Sequence, residues 1–207
     1  MARQTAISIN TIPIGPLGII GMPGCEELTD KIDKYLVKWR KTQAIEHAES
    51  IAFFGYQRDS YKIDITIPRF GSGEGKGVIN ESVRGYDIYI VCDVFNYSCT
   101  YNMYGKEVCM SPDDHFADLK RVISALCSKP KRVSVIMPML YEGRQHKRSS
   151  RESLDCAMAL KELVHLGVEN IITFDAHDQR VQNAIPDKSF ENVMPTYQMI
   201  KALVNNV

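Results

Sequence analysis

The run YDIYIVCDV, residues 86–94, most constrains the fold of this chain. Its apolar residues fall on both faces of a strand, so neither face suits water. Such a segment belongs inside a parallel sheet covered on both sides. Parallel neighbours need crossovers of a dozen or more residues, usually a helix. The chain supplies them. SPDDHFADLKRVISALCSKP reads as a helix with Ser111 as N-cap, Pro112 in the first turn and Asp114 closing a capping box. Phe116, Leu119, Ile123 and Leu126 form its apolar stripe, and Pro130 ends it. RVSVIMPM is the next strand. SRESLDCAMALKELVHLG is predicted to be a helix opened by a second capping box, Ser149 with Glu152. It buries Leu154, Ala157, Leu160 and Val164 and stops at Gly167. VENIITFDA is a further strand and PTYQMIKALVNNV a further helix.

Upstream, PLGIIGM reads as a strand, and CEELTDKIDKYLVKWRK as a helix with Leu28, Ile32, Tyr35 and Leu36 at helical spacing. KIDITIPRF alternates like a strand. The stretch from Gln43 to Tyr61 has no clear period and reads as an insertion, and the 96–110 stretch gives no role. The whole predicts an α/β fold with a mostly parallel central sheet flanked by helices.

Composition narrows the function. Lys plus Arg equals Asp plus Glu at 25 each, so the net charge is zero. A nucleic-acid or anionic-membrane protein usually carries a basic excess. No stretch reaches the ~18–20 apolar residues of a membrane span. The N-terminal residues, broken by prolines and glycines, lack the pattern of a signal peptide. The six cysteines form no C-x-x-C pair, and Cys92, Cys127 and Cys156 lie in apolar stretches. They read as reduced thiols of a cytoplasmic protein. Cys92, Cys99 and Cys109 match no standard zinc spacing.

Ligands of open α/β sheets bind at the carboxyl ends of the strands, which directs attention to three loops. RFGSGEGKG, 69–77, lets backbone approach a ligand, with Phe70 to stack and Glu74 to hydrogen-bond. By itself it fits a glycine-rich hairpin turn better. YEGRQHKRSSR, 141–151, crowds Arg144, Lys147, Arg148 and Arg151 between a strand and a helix start, a place for polyphosphate. A solvated basic loop is the plain alternative. ITFDAHDQRVQ, 172–182, ends an apolar strand with Asp175 and His177. Extended backbone points both to one side, where they can hold a divalent cation or orient a base. A polar helix cap explains the same residues.

Together the three loops resemble, in order and approximate spacing, the N-terminal domain of ribose-phosphate pyrophosphokinases, over roughly residues 15–205. RFGSGE is similar to the family's F-x-[DN]-G-E loop, ESVRGYDIYIV to the segment after it, and SPDDHFADL to its N-D-H helix start. GRQHKRSSR stands in the place of the R-Q-D-R-K loop and FDAHDQRVQ in that of D-L-H-A-x-Q-x-Q. The resemblance implies a phosphoribosyltransferase-like domain over 1–195. Residues 196–207 would begin the link to a second domain, which carries the ribose 5-phosphate loop and a mobile catalytic loop.

It also implies roles for particular residues. Phe70, Ser72 and Glu74 would meet the adenine of ATP held mainly by a neighbouring subunit, with Ser72 standing where the family has Asp or Asn. Arg144, Gln145 and Lys147 would hold the nucleotide, beside Arg148, with His146 replacing the family's Asp. His177 would be catalytic near the phosphates. Asp175, His177 and Asp187 would serve Mg2+, with Asp187 and Glu191 matching two family carboxylates if one residue is inserted. Ala176 and Arg180 depart from the usual Leu and Gln and mark a divergent branch.

The implied reaction joins the 1-hydroxyl of ribose 5-phosphate to the β-phosphorus of ATP, releasing AMP. The implied assembly is a homo-oligomer built on dimers, up to a hexamer, in the cytoplasm, with no nucleic-acid or membrane partner. With one substrate's loops at hand, the 207 residues alone are expected not to turn over. The main alternative is a non-catalytic protein that regulates an active synthetase. A phosphoribosyltransferase would need an acidic ribose-phosphate loop that the sequence does not show.

Overall fold

The computed structural model describes residues 13–46 and 57–206. The first 12 residues and most of the unreadable 43–61 stretch lie outside them. Five strands form one parallel sheet in the order β1-β4-β7-β8-β9: β1 Leu17–Gly21, β4 Asp87–Val91, β7 Arg132–Met137, β8 Asn170–Phe174 and β9 Ser189–Val193. The apolar run at 86–94 supplies β4, paired on both sides. Ile88, Ile90 and Val91 are fully buried.

Alternation along the strands feeds two cores. Ile20, Ile88, Ile90 and Val135 pack with Phe116, Leu119 and Val122 of α2 (Pro112–Ala125) and Leu160 and Leu163 of α3 (Asp155–His165). Ile19 and Val91 face the other way, toward Ile32, Leu36 and Val37 of α1 (Glu26–Glu46). The helices thus cover both faces of the sheet, as a parallel sheet requires.

The start of α2 follows the sequence. Asp114 N–H donates to Ser111 Oγ at 3.2 Å and Ser111 N–H to Asp114 Oδ2 at 2.9 Å. Ser111→Ala should therefore cost about 1 kcal/mol of stability, read as a lower urea midpoint with unchanged slope. The helix ends before Pro130. Cys127 and Ser128 adopt left-handed φ of 50° and 53°, which stops it after Ala125.

Other expectations shift. In α1, Leu28 and Tyr35 are exposed, while Thr29 and Asp33 are buried. Asp33 accepts from Tyr61 N–H at 2.7 Å and Ser60 Oγ at 2.9 Å, so hydrogen bonding replaces part of the apolar stripe. The expected strand at 62–70 shrinks to β2, Ile65–Thr66, paired with β3, Val78–Ile79. α3 begins at Asp155 behind Leu154, with no side-chain cap. Ser149 and Glu152 do meet at 3.1 Å, but within the basic loop ahead of the helix. The buried face of α3 is Cys156, Ala159, Leu160 and Leu163, and Gly167 ends it with φ +99°. All six cysteines are free. Cys127 is exposed rather than packed, while Cys92 and Cys156 are buried.

Five elements had no sequence signal: β3, β9, a 3-10 helix at Gln179–Ala184, and the hairpin strands β5 (Thr100–Met103) and β6 (Lys106–Cys109). The last helix, α4 (Thr196–Asn206), buries none of its residues among those described.

Candidate functional site

The carboxyl ends of β4, β7 and β8 open into a cleft of 640 Å³. Arg144 comes from the loop after β7, and Asp175 and His177 from the loop after β8, while Tyr97 arrives from the turn after β4. The sequence expectation for Arg144, Asp175 and His177 therefore meets in one place. The reason differs for the last two. Asp175 does not continue the strand, because its φ is +48°. A left-handed aspartate costs on the order of 1 kcal/mol or more and needs support. The support comes from β9: Asp175 N–H donates to Val193 O at 3.1 Å and Ala176 N–H to Asn192 Oδ1 at 2.9 Å. A strand invisible in the sequence thus fixes the turn that presents both side chains.

The cleft wall is also built with care. Tyr141 stacks on Phe116 with ring centroids 4.2 Å apart, and its hydroxyl donates to Asp113 at 2.6 Å. Burial first, then the Asp113 carboxylate, pushes the Tyr141 phenol well up, so it stays protonated. Glu142, also left-handed at φ 55°, turns the chain toward Arg144.

The guanidinium of Arg144 has no hydrogen bond or ion pair with a described residue, nor do the charged ends of Lys147, Arg148 and Arg151. All four side chains are exposed. Of the four, Arg144 lines the cleft, and a cation left there without a partner among the described residues suits an anionic ligand. Gln145 is different. Its amide donates to Ser153 O at 2.8 Å, stapling the basic loop, and it does not line the cleft.

His146 bridges the two loops. Its Nε2 lies 3.3 Å from Asp178 Oδ2, and its ring is 5.1 Å from that of His177. Asp178 also accepts from Arg180 Nη2 at 2.6 Å and Nε at 3.0 Å. Arg180 first, and His146 more weakly, hold the Asp178 carboxyl far below the ordinary 3.8. A depressed carboxyl contributes stability that is present above 3.8 and lost as pH falls through the folded value. Carbon-detected NMR titration should find Asp178 still ionised at pH 3.8, and Arg180→Ala should return it toward that value. Asp175 makes no such side-chain pair with a described residue, so its carboxylate is available to a ligand.

Two expectations are corrected by placement. Asp187 lies in the turn before β9. The register pairs Ser189 with Asn170 and Val193 with Phe174, so Asp187 stands at the amino edge of the sheet and Asp175 at the carboxyl edge. Five strand residues separate the edges, roughly 16 Å at ~3.3 Å each. Asp187 cannot share an ion with Asp175, and Glu191 sits mid-strand. Among the described residues, no three His, Cys, Asp or Glu side chains gather to hold a metal.

The glycine-rich loop lies apart from the cleft, which none of Phe70, Ser72 or Glu74 lines. It is a tight hairpin in which Phe70 N–H donates to Glu74 O at 2.8 Å and Gly73 takes φ +91°. Arg69 anchors it, donating to Asp118 of α2 at 2.6 Å and lying 4.5 Å over the Tyr101 ring. Tyr104 N–H donates to Gly71 O at 2.9 Å, so the β5–β6 hairpin buttresses it. Phe70 projects outward, 58 % exposed. Ser72 Oγ donates to Glu74 Oε2 at 2.7 Å.

Residues 17–167 match the family model described as the N-terminal domain of ribose phosphate pyrophosphokinase. The chain belongs to this family. The matched ribose-phosphate pyrophosphokinases of Vibrio vulnificus (strain YJ016) and Pasteurella multocida (strain Pm70) are each 26 % identical to it. The first covers 136 residues, 64 % of this chain and 38 % of its relative, and the second 146 residues, 68 % and 42 %. A crystal structure of phosphoribosylpyrophosphate synthetase from Mycobacterium smegmatis superposes with a TM-score of 0.66 at 19 % identity. The likeness takes in 91 % of this chain and 51 % of that one. The ribose phosphate pyrophosphokinase N-terminal domain is thus the fold, and the chain spans about two fifths of the length of the curated relatives it matches. Among the described residues no helix is long and apolar enough to cross a membrane.

Proposed function

We propose that this chain forms the ATP-side half of a ribose-phosphate pyrophosphokinase, transferring diphosphate from Mg-ATP to ribose 5-phosphate. The observation that carries the reading is the cleft itself. Arg144 and Asp175, neither paired through its side chain with a described residue, converge with His177 at the carboxyl edge of a parallel sheet in a member of this family.

Phosphoryl-type transfer asks a protein mainly for positioning and charge neutralisation. Arg144 offers a planar fork of donors to phosphate oxygens, and Lys147 a mobile point charge. His177 presents a ring donor to the same anion. The left-handed turn at Asp175 holds its carboxylate beside them. Mg2+ takes one or two carboxylates together with substrate phosphates rather than an all-protein cage, which suits a lone Asp175. When bound, it would neutralise charge on the phosphate oxygens. Asp187 takes no part. Gln145 acts by holding the basic loop in shape.

Phe70 is exposed and does not line the cleft of its own chain, which supports service to a neighbouring subunit in a homo-oligomer. Phe70→Ala should lower ATP affinity only at concentrations where sedimentation shows oligomers. Loss of affinity in a monomer would contradict this.

A second reading is a non-catalytic protein that regulates an active synthetase. It is favoured by Ser72 engaging Glu74, where the family carries Asp or Asn, and by His146 turning to Asp178, where the family carries Asp. AMP release from Mg-ATP, assayed with ribose 5-phosphate on the protein as it is encoded, separates the two. AMP formation that needs both ribose 5-phosphate and Arg144 supports the enzyme. In the protein as it is encoded, ATP binding without AMP selects the regulator, and absence of ATP binding removes the enzyme reading.

A further inference from the structure

We propose that Tyr97 is a nucleobase platform, stacking in its own subunit on the base of the nucleotide whose phosphates Arg144 holds. The inference rests on the nucleotide reading of the cleft and adds a base-binding residue to it.

Three large apolar side chains line this cleft and remain exposed: Tyr97 at 60 %, Met139 at 60 % and Phe174 at 41 %. Single exposed apolar residues on a surface carry no information, but several together inside a concavity mark a binding surface. Beside them stands a cation with no partner among the described residues. A ligand that satisfies both has a flat apolar part and a polyanionic part, as a nucleoside triphosphate does. Inorganic polyphosphate and sugar phosphates lack the flat part.

The turn that carries Tyr97 is rigid. Asn96 Nδ2 donates to Gly24 O at 3.0 Å, and the fully buried His115 donates through Nε2 to Asn96 O at 2.8 Å. Ser98 donates to Asn96 Oδ1 from its N–H at 3.0 Å and its hydroxyl at 2.6 Å. Phe95 N–H donates to Asp93 Oδ1 at 3.0 Å. Both neighbours of Tyr97 are pinned while its ring is left in the cleft. A preordered aromatic with two rotatable bonds loses little entropy on binding, which is how affinity is gained without large area. Stacking tolerates any base, because every base has a π-face. Tyr97 therefore distinguishes nucleotides from bare polyphosphate rather than one base from another.

The test is calorimetric titration of wild type, Tyr97→Ala, Tyr97→Phe and Arg144→Ala with Mg-ATP and with Mg-tripolyphosphate. Tyr97→Ala should bind ATP roughly tenfold more weakly, and tripolyphosphate as wild type does. Tyr97→Phe should keep wild-type affinity for both, and Arg144→Ala should lose both. Undiminished ATP binding by Tyr97→Ala would overturn the proposal. So would an equal loss of both ligands, which would mean damage to the fold. If that variant keeps ATP while Arg144→Ala loses it, only the role of Tyr97 fails. If wild type binds neither ligand, the nucleotide reading fails and takes this one with it.

Discussion

Asp118→Ala is expected to lower unfolding stability by about 3–5 kcal/mol, a large share of the margin of a domain whose total is typically ~5–15 kcal/mol. Asp118 is 1 % exposed and accepts from Arg69 Nη2 and Arg121 Nη1, each at 2.6 Å. Arg121 keeps a third of its side-chain surface in water, but Arg69 keeps only a tenth. Removing the carboxylate leaves the Arg69 guanidinium buried over Tyr101 with its charge uncompensated. That penalty, rather than any net worth of the ion pair, sets the size of the effect.

Burial, opposed by the two arginines, raises the Asp118 carboxyl above 3.8. For a carboxyl raised in the fold, stability from its own titration is greatest below the unfolded value and declines as pH rises through the folded one. Acid unfolding is therefore not expected to begin at Asp118. Urea unfolding measures the loss. Hydrogen exchange at the hydrogen-bonded amides of Phe70 and Gly73 should quicken in the variant, because Arg69 ties their hairpin to α2. A loss under about 1 kcal/mol would place the pair with ordinary surface ion pairs.

Arg144→Ala should weaken Mg-ATP binding by about 1.5–3 kcal/mol, roughly 10- to 150-fold. Its guanidinium has no protein partner to lose among the described residues, so the urea midpoint should stay that of wild type. This pairing of lost binding with unchanged stability separates a ligand contact from a structural one. Arg144→Lys should recover only part of the affinity, since an ammonium lacks the planar fork. Equal ATP affinity in wild type and Arg144→Ala would remove this residue from the site.

Where the chain's own chemistry is local, the sequence is a good guide. The run at 86–94 can only be a doubly covered strand, and the Ser111 and Asp114 cap is complete within four residues. That Arg144, Asp175 and His177 meet was readable because the loops after parallel strands share one edge of the sheet. What was hidden depends on distant partners. Ser189–Val193 is a sheet-edge strand, half exposed and without an apolar run, so nothing local marks it, yet it holds the turn at Asp175. The Ser149 and Glu152 pair has the spacing of a cap, but the basic loop takes it and α3 starts six residues later.

Asp187 fits a spacing, but the sheet register sends it to the wrong edge. Asp118 lies 49 residues from Arg69, and its i,i+3 spacing to Arg121 reads as a surface pair. Tyr97 sits in an irregular stretch, where no periodicity shows that its neighbours are pinned.

The most direct test of the cleft assignment is a Mg-ATP titration of isotope-labelled protein, followed by backbone amide shifts. Saturable shifts should concentrate at residues 95–98, 141–148 and 174–178, the three loops at the carboxyl edge of the sheet. Shifts confined instead to the separate acidic cleft around Glu26, Asp30 and Asp64, or no shifts at millimolar ATP, would contradict the account.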